Sequence, residues 1–309
     1  MFIVKHRKFF YTFSGLLVLI ALASLFFWGL KPGIDFTGGS LLEVTYASTS
    51  PSVVDIGKAI TAVGATDVSV RPSGENDFII RSSEMSNTQE VEAVLGLSFE
   101  NKYSVKEKEF DAVGPTLGAE ALQKSWISIL IVLVAIVLFI TFAFRKVSKP
   151  VSSWWYGLIA VIALAHDVLI PTGFFSIIGH FSGVEVDTLF VTAVLVVLGF
   201  SVHDTIVVFD RVRENLRRNE EFHEKKDFDT IVGESINQTF VRSINTSLTT
   251  LLAILVLYIV GPAATQNFAL ALLVGITAGT YSSIFIGSPL LVTVYKHRLL
   301  RRQKSESRL

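Results

Sequence analysis

Cysteine is absent from the 309 residues, which excludes disulfide bonds and thiolate metal sites. Charge is scarce as well, because only 17% of the residues are Asp, Glu, Lys or Arg and their signs cancel to a net charge of zero. This balance gives no reason to expect nucleic acid as a partner. Half of the residues are hydrophobic and the mean hydropathy is positive, so the composition is that of a membrane protein.

Catalytic motifs are missing too. The sequence has no G-x-x-x-x-G-K-[ST] loop for binding ATP phosphates and no HExxH motif, and its six histidines lack the spacing of metal ligands. Ser201 and His203 are too close along one helix to form a catalytic dyad. We therefore expect no catalysis, no metal and no organic cofactor.

Six apolar runs are each long enough to cross the roughly 30 Å hydrocarbon layer as a helix. They extend from Phe9 to Leu30, Trp126 to Phe144, Ser153 to Ile178, Thr188 to Phe209, Thr239 to Val260 and Asn267 to Tyr295. The first run follows the basic stretch KHRK but has no small-x-small cleavage site after it. We interpret it as a retained helix, and the fold predicted is a polytopic α-helical membrane protein.

Basic residues lie on one side of this arrangement. They occupy the N-terminus, the links after the second and fourth runs, and the tail of residues 296–309, whereas the links GHFSGVEVD and GPAATQN contain neither Lys nor Arg. By the positive-inside rule both termini are expected in the cytoplasm. Residues 31–124 then form an extracytoplasmic domain between the membrane segments 1–30 and 125–295.

The extracytoplasmic segment has the pattern of a small α+β domain. A strand is predicted over LLEVTY, a helix over SVVDIGKAITAV, strands over DVSVRP and DFIIRS, a helix over TQEVEAVLGL and a strand over YSVKEKEF. The order βαββαβ predicts a ferredoxin-like fold. The stretch GIDFTGG precedes the first strand, and its Gly33, Asp35, Gly38 and Gly39 predict a hinge between membrane and domain.

Ionisable residues inside the apolar runs are functional candidates, because a charge in hydrocarbon costs several kcal/mol unless it is paired or hydrated. Asp204 in the fourth run and Arg242 in the fifth lie at similar depths, roughly 25 and 28 Å from the outer boundary. Helical spacing adds polar neighbours to both faces: Ser201, Thr205, Gln238, Asn245, Thr246 and Thr249. We predict a polar seam between the two helices.

Two readings of this seam remain open. A moving Arg242 could switch Asp204 between proton-holding and proton-releasing states, because desolvation and a nearby guanidinium act on a carboxyl group in opposite directions. Alternatively, the pair is a static ion pair that fixes the helix register. Asp167 is similarly ambiguous, since Pro171 removes the hydrogen bond to its carbonyl: it either relays protons with His166 or, as we prefer, satisfies a broken helix.

Small residues mark the sixth run. Ala271, Gly275, Gly279, Ser283 and Gly287 recur every fourth residue and predict a smooth strip for close helix packing. The charged link from Asn219 to Asp229 is predicted to be a solvated loop, and no role is assigned to it.

Six stretches in order carry a family resemblance. They are GIDFTGGS, VGPTLGAEAL, ALAHDVLI, GFSVHDTIVVFDRVREN, SINQTFVRSINTSLTT and GTYSSIFIGSPL. Over nearly its whole length the chain resembles the SecF family. Those proteins are subunits of the bacterial SecDF complex, which accompanies the Sec translocon and is similar in membrane fold to the RND transporters.

The resemblance implies a function and a set of partners. It implies an RND-like half whose Asp204 and Arg242 form a proton pathway, using the proton-motive force to assist protein translocation across the bacterial inner membrane and release on the outer side. The implied partners are a SecD-like second half, the SecYEG translocon, a YajC-like accessory subunit, the translocating polypeptide and membrane lipids. The coupling ion is H⁺ or Na⁺. A stand-alone RND-like proton-coupled transporter of small molecules or lipids is the alternative.

Overall fold

The computed structural model describes residues 2–47, 50–74, 76–83, 85, 87–97, 105–143 and 151–306. The chain divides into two compact units. The helical unit comprises Met1–Lys31 and Ile127–Leu309, and the sheet unit comprises Pro32–Trp126. In chain order the elements are α1 (Phe2–Lys5), α2 (Arg7–Phe27), α3 (Ile34–Thr37), β1 (Gly39–Tyr46), α4 (Val53–Ala62), β2 (Ser69–Pro72), β3 (Asp77–Ser82), α5 (Asn87–Gly96), β4 (Val105–Val113), α6 (Pro115–Ala143), α7 (Ser153–Ser182), α8 (Thr188–Glu221), α9 (Phe228–Val260), α10 (Ala263–Ser282), a π-helical segment (Ser283–Gly287) and α11 (Ser288–Glu306).

The sheet unit has the predicted ferredoxin-like fold. Its sheet has the strand order β2-β3-β1-β4, and every neighbouring pair is antiparallel. Alternate residues of β1 and β3 point to one face, where they pack against the apolar sides of α4 and α5. The fully buried members of this core include Leu42, Tyr46, Ile56, Ile60 and Ile80. The predicted order βαββαβ is confirmed. It was predictable because apolar residues alternate in the strands and recur at helical spacing in α4. The predicted start of the last strand, residues 103 and 104, lies outside the described residues.

The stretch GIDFTGG is a compact element with close backbone contacts. Gly33 precedes the single turn of α3, after which Gly38 and Gly39 have φ angles of +75° and +122°. A Cβ added to Gly38 would lie 2.8 Å from the Cα atom of Pro115, and one added to Gly118 would lie 2.9 Å from the amide nitrogen of Gly38. The first two family stretches therefore pack backbone to backbone, which no side chain larger than hydrogen would permit.

Within the described residues, six helical spans are long and apolar enough to cross a membrane, as predicted. They are α2, α6, α7, α8, α9 and the continuous α10–α11 span. The shortest, α2, has 21 residues and a length of about 32 Å, close to the thickness of the hydrocarbon layer. The chain is therefore a multi-pass membrane protein.

Several helices continue beyond the apolar runs. Helix α8 was predicted to stop at Phe209 but ends at Glu221, and α9 begins at Phe228 rather than Thr239. The predicted loop from Asn219 to Asp229 is therefore wrong at both ends. Backbone hydrogen bonding does not stop where the apolar residues stop, and pairs such as Arg217–Glu221 support the polar turns. For the same reason α11 continues through much of the predicted tail.

Candidate functional site

Asp204 is buried in α8, where only 7% of its surface is exposed. Its Oδ1 atom accepts a hydrogen bond from the Ser243 hydroxyl of α9 at 2.5 Å. Its Oδ2 atom accepts one from the Ser283 hydroxyl, the first residue of the π-helical segment. The carboxyl group thus joins three helices through two hydroxyl donors. Among the described residues no Lys, Arg or His forms a salt bridge with it.

Asp167 lies in α7 and is fully buried. Its Oδ2 atom accepts hydrogen bonds from Ser201 of α8 and, at 2.7 Å, from Ser282 of α10. Its Oδ1 atom lies 2.8 Å from Nδ1 of His166. The preferred prediction, that this carboxyl group satisfies a helix broken at Pro171, is wrong, because α7 is one continuous helix and the carboxylate bonds to two other helices.

Arg242 does not form the predicted seam with Asp204. Its side chain is exposed, and neighbouring Ser243 makes the contact to the carboxylate. Successive residues of an α-helix point about 100° apart, so a helix that aims Ser243 at α8 turns Arg242 away. The two residues lie at the same level, but Arg242 lies on a side of α9 other than the one that contacts Asp204.

The other predicted members of the seam on α9 are also exposed. They are Gln238, Asn245, Thr246 and Thr249. Gln238 accepts hydrogen bonds from Nε of Arg211 at 2.5 Å and from Nδ2 of Asn215 at 2.9 Å, and the Thr249 hydroxyl donates to the carbonyl of Thr246 at 2.9 Å. None of these contacts reaches Asp204. On α8, by contrast, both Ser201 and Thr205 are buried, and Ser201 binds Asp167.

The buried polar stripe of α9 was missed. Its members are Ser235, Thr239, Ser243 and Ser247. They recur every fourth residue, and the predicted stripe recurs every third or fourth, so helical spacing alone could not choose between the two faces. Side-chain size was the available signal, because small hydroxyl residues permit close helix packing whereas Arg and Gln do not. Thr280 of α10 extends the stripe by donating to Ser247 at 2.7 Å.

The small residues of α10 and the π-helical segment lie directly against α8. A Cβ added to Gly275 would meet Cγ2 of Val197 at 2.4 Å, and one added to Gly279 would meet Cβ of Ser201 at 3.0 Å. Ser283 reaches Asp204 along the same strip, and Gly287 lies beside the ring of Phe209. The absence of side chains at these glycines allows the two buried carboxyl groups to be reached by hydroxyls as short as serine.

The π-helical segment has a local cause. Pro289, the second residue of α11, has no amide hydrogen to donate to the carbonyl four residues earlier, and its ring crowds that carbonyl. The carbonyl belongs to Phe285, in the middle of the π-helical segment. The wider turn there leaves Ser282 and Ser283 at the junction, where one hydroxyl binds Asp167 and the next binds Asp204. Single-turn π-helices often occur at functional sites.

These contacts place two buried carboxyl groups among hydroxyl donors. The donors come from helices other than those that carry the acids, so the hydrogen bonds of each acid depend on how the helices pack.

Family models match two segments of the chain. The model described as protein export membrane protein SecD/SecF, C-terminal, matches residues 94–297, which include Asp167, Asp204 and Arg242. The SecD/SecF GG motif matches residues 23–49. The six membrane-spanning helices and these two matches define a multi-pass membrane protein of the SecD/SecF class.

Relatives specify the subunit. The protein translocase subunit SecF of Thermobaculum terrenum is 40% identical over 320 residues, which cover 99% of this chain and 98% of that protein. The same subunit of Anaerolinea thermophila is 39% identical over 292 residues, covering 94% and 92%. The chain belongs to the SecF family, as its sequence motifs predicted.

A solved structure shares the fold. The crystal structure of SecDF from Thermus thermophilus, described as a translocon-associated membrane protein, matches with a TM-score of 0.79 and 30% identity. The match covers 95% of this chain but 38% of that one. This chain is thus similar to a minor part of a longer SecDF chain.

Proposed function

We propose that the chain is the SecF-like subunit of an accessory complex of the Sec translocon, which uses the proton-motive force to assist protein export. The observation that carries this proposal is Asp204, a buried acid held by hydroxyls from two other helices. A charge that crosses the membrane releases about 2.3 kcal/mol per 100 mV, and a proton bound at Asp204 would convert that energy into a change of helix contacts. H⁺ is the proposed ion, with Na⁺ as the alternative.

Arg242 has a revised part in this proposal. It lies beside Ser243 in sequence but on the exposed side of α9, so we place its action at a surface that a SecD-like half covers. A twelve-helix body assembled from two six-helix halves is the usual form of this class of transporter. The SecYEG translocon, a YajC-like subunit and the exported polypeptide are further proposed partners. We place the chain in the inner membrane of a bacterium, with both of its termini in the cytoplasm.

The test measures proton flux and protein export in vesicles that contain the chain with its SecD-like half. Asp204→Asn is expected to abolish proton-dependent stimulation of export, because the amide cannot carry the proton. Asp210→Asn is the matched control, since that carboxylate is exposed on the same helix and pairs with Arg213 at 2.6 Å. Full stimulation with Asp204→Asn would exclude the carboxylate as the carrier.

A second variant tests the guanidinium group. Arg242→Lys keeps the charge but loses the planar set of donors, so we expect reduced proton flux. Arg217→Lys, on the polar end of α8, should leave flux unchanged. Wild-type flux with Arg242→Lys would refute a specific role for the guanidinium.

A further inference from the structure

His166 has an unusual environment for a titratable side chain. It is 94% buried, with 6% of its surface exposed, and its Nδ1 atom lies 2.8 Å from Oδ1 of Asp167. Its Nε2 atom is buried and has no hydrogen-bond partner among the described residues. A neutral ring that donates from Nδ1 therefore leaves a free lone pair on Nε2.

Asp167 is arranged as the counter-charge for that ring. It receives hydroxyl donors from Ser201 and Ser282 on one oxygen and faces His166 with the other. A buried carboxylate with three donors can remain ionised, and its negative charge compensates a positive ring in contact with it. The pair can thus change from a net charge of −1 to neutrality by accepting one proton.

The remaining surroundings contain few titratable groups. From α10, the ring of Tyr281 stacks on His166 with centroids 6.3 Å apart, and from α2 the Ser14 hydroxyl donates to Tyr281. From α8, the nearest acid is Asp204, one helical turn from Ser201. No described Lys or Arg forms a salt bridge with Asp167, so the proton on His166 would be its source of positive charge.

We propose that His166 and Asp167 form a second proton-binding site of the helical unit, one that serves the same cycle as Asp204 and thus rests on the proposed function. The proton binds to the lone pair of Nε2, and the imidazolium charge is balanced by the carboxylate of Asp167. No covalent bond other than N–H forms or breaks.

The two sites meet on consecutive residues. Ser282 donates to Asp167 and Ser283 donates to Asp204, at the junction between α10 and the π-helical segment. A proton bound at Asp204, or at the His166 ring that Asp167 faces, alters the hydrogen bond of one serine and, through the shared backbone, the position of the other. This geometry makes the π-helical segment the shared element of both sites.

Histidine-selective NMR of the complex with its SecD-like half, in lipid nanodiscs, tests the proposal. His166→Gln identifies the signal by removing it. We expect the His166 signal to change from a neutral ring protonated at Nδ1 to an imidazolium as the pH falls from about 8 to about 5. A ring that stays neutral throughout this range would overturn the proposal.

Two substitutions in the surroundings should move this transition in opposite directions. Asp167→Asn removes the counter-charge and should shift it to lower pH by about 1–3 units. Ser282→Ala removes a hydrogen-bond donor from the carboxylate of Asp167, which then attracts the protonated ring more strongly. This substitution should shift the transition to higher pH. Simple loosening of the helices would not produce opposite signs.

Matched controls separate this result from general effects. Asp210→Asn removes an exposed carboxylate from α8, and Thr277→Ala removes an exposed hydroxyl from α10 that bonds to its own helix. Neither should move the transition. A transition that Asp167→Asn does not move would overturn the proposal that Asp167 balances the charge on His166. The NMR signal is measured without transport, so a failure of this proposal is distinguishable from a failure of the proposed function. The proposed function would be refuted by a different result, namely wild-type stimulation of export with Asp204→Asn.

Discussion

Glu90 is a buried carboxyl group in the sheet unit. It lies in the first turn of α5, with 1% of its surface exposed, and accepts a hydrogen bond from Ser82 on Oε1. Its Oε2 atom has no partner among the described residues. Burial raises the pKa of Glu90 above its ordinary value, although the hydrogen bond from Ser82 opposes this increase.

The raised pKa predicts how the stability of the sheet unit depends on pH. Between the ordinary and the raised pKa, the folded unit binds more protons than the unfolded chain, so its stability decreases as pH rises. The contribution is complete below the ordinary pKa and is lost above the raised one. We expect Glu90→Gln to increase the stability at neutral pH and to change it little in acid.

Amide hydrogen exchange of β1 and β3 in the full chain, compared at each pH with wild type, measures this effect. Glu92→Gln is the control, because Glu92 is exposed on the same helix. A difference that does not vary with pH, or that appears equally with Glu92→Gln, would contradict the prediction.

For single residues, the sequence predicted the depth of a side chain in the membrane but not the side of the helix that faces its neighbour. Counting along helices placed Asp204 and Arg242 at one level, and Ser243, which contacts Asp204, confirms that this level is shared. The side of α9 that faces α8 could not be predicted, because polar residues recur at helical spacing on both sides. Which acid is buried depends on packing among several helices, and a single sequence contains no direct record of that packing.

Close contact between α8 and α10 is the main feature at the scale of elements. The added-Cβ distance of 2.4 Å at Gly275 is shorter than any carbon–carbon contact in a relaxed structure, so this residue sets how near the helices lie. The carboxyl site depends on the same distance, because Ser283 must reach Asp204. Helix packing and the hydrogen bond to Asp204 are therefore linked.

Gly275→Ala is expected to destabilise the helical unit by about 1–3 kcal/mol, since the new methyl group overlaps Val197. Gly199→Ala is the control, because an added Cβ there meets nothing within 4 Å. Unfolding of the two variants by SDS in mixed micelles measures the difference. Equal stability of Gly275→Ala and Gly199→Ala would show that the helices separate easily at this point.

The elements differ in how well the sequence predicted them. The membrane spans and the βαββαβ order were predictable because long apolar runs and alternation are strong local signals. The ends of the helices were not predictable from hydropathy. Hydropathy falls at the edge of the apolar region, whereas α8 and α11 continue as helices into charged residues. The π-helical segment was not foreseen, although Pro289 supplies its local cause.

At the scale of the whole molecule, α9 presents polar residues on an exposed side. Arg242, Asn245, Thr246 and Thr249 lie there, in the first half of the apolar run Thr239–Val260. Hydrocarbon cannot satisfy such groups, so this side requires a protein partner or water. A SecD-like half placed on this surface would cover them.

The natural lack of cysteine makes this surface simple to probe. Asn245→Cys should react with a membrane-permeant maleimide in the chain alone and become several-fold less reactive when the SecD-like half is present. Leu130→Cys on α6, whose native side chain is 63% exposed, serves as the comparison. Protection of position 130 but not 245 would place the partner on the other side of the bundle.

Gly173 of α7 and Ala21 of α2 are in close backbone contact, because a Cβ added to Gly173 would lie 2.3 Å from the Cβ atom and 2.4 Å from the Cα atom of Ala21. Across the same contact the Ser24 hydroxyl donates to the carbonyl of Gly173, and the Ser176 hydroxyl donates to the carbonyl of Ser24. Backbones this close resist sliding and tilting, so we expect α2 and α7 to move together as one body.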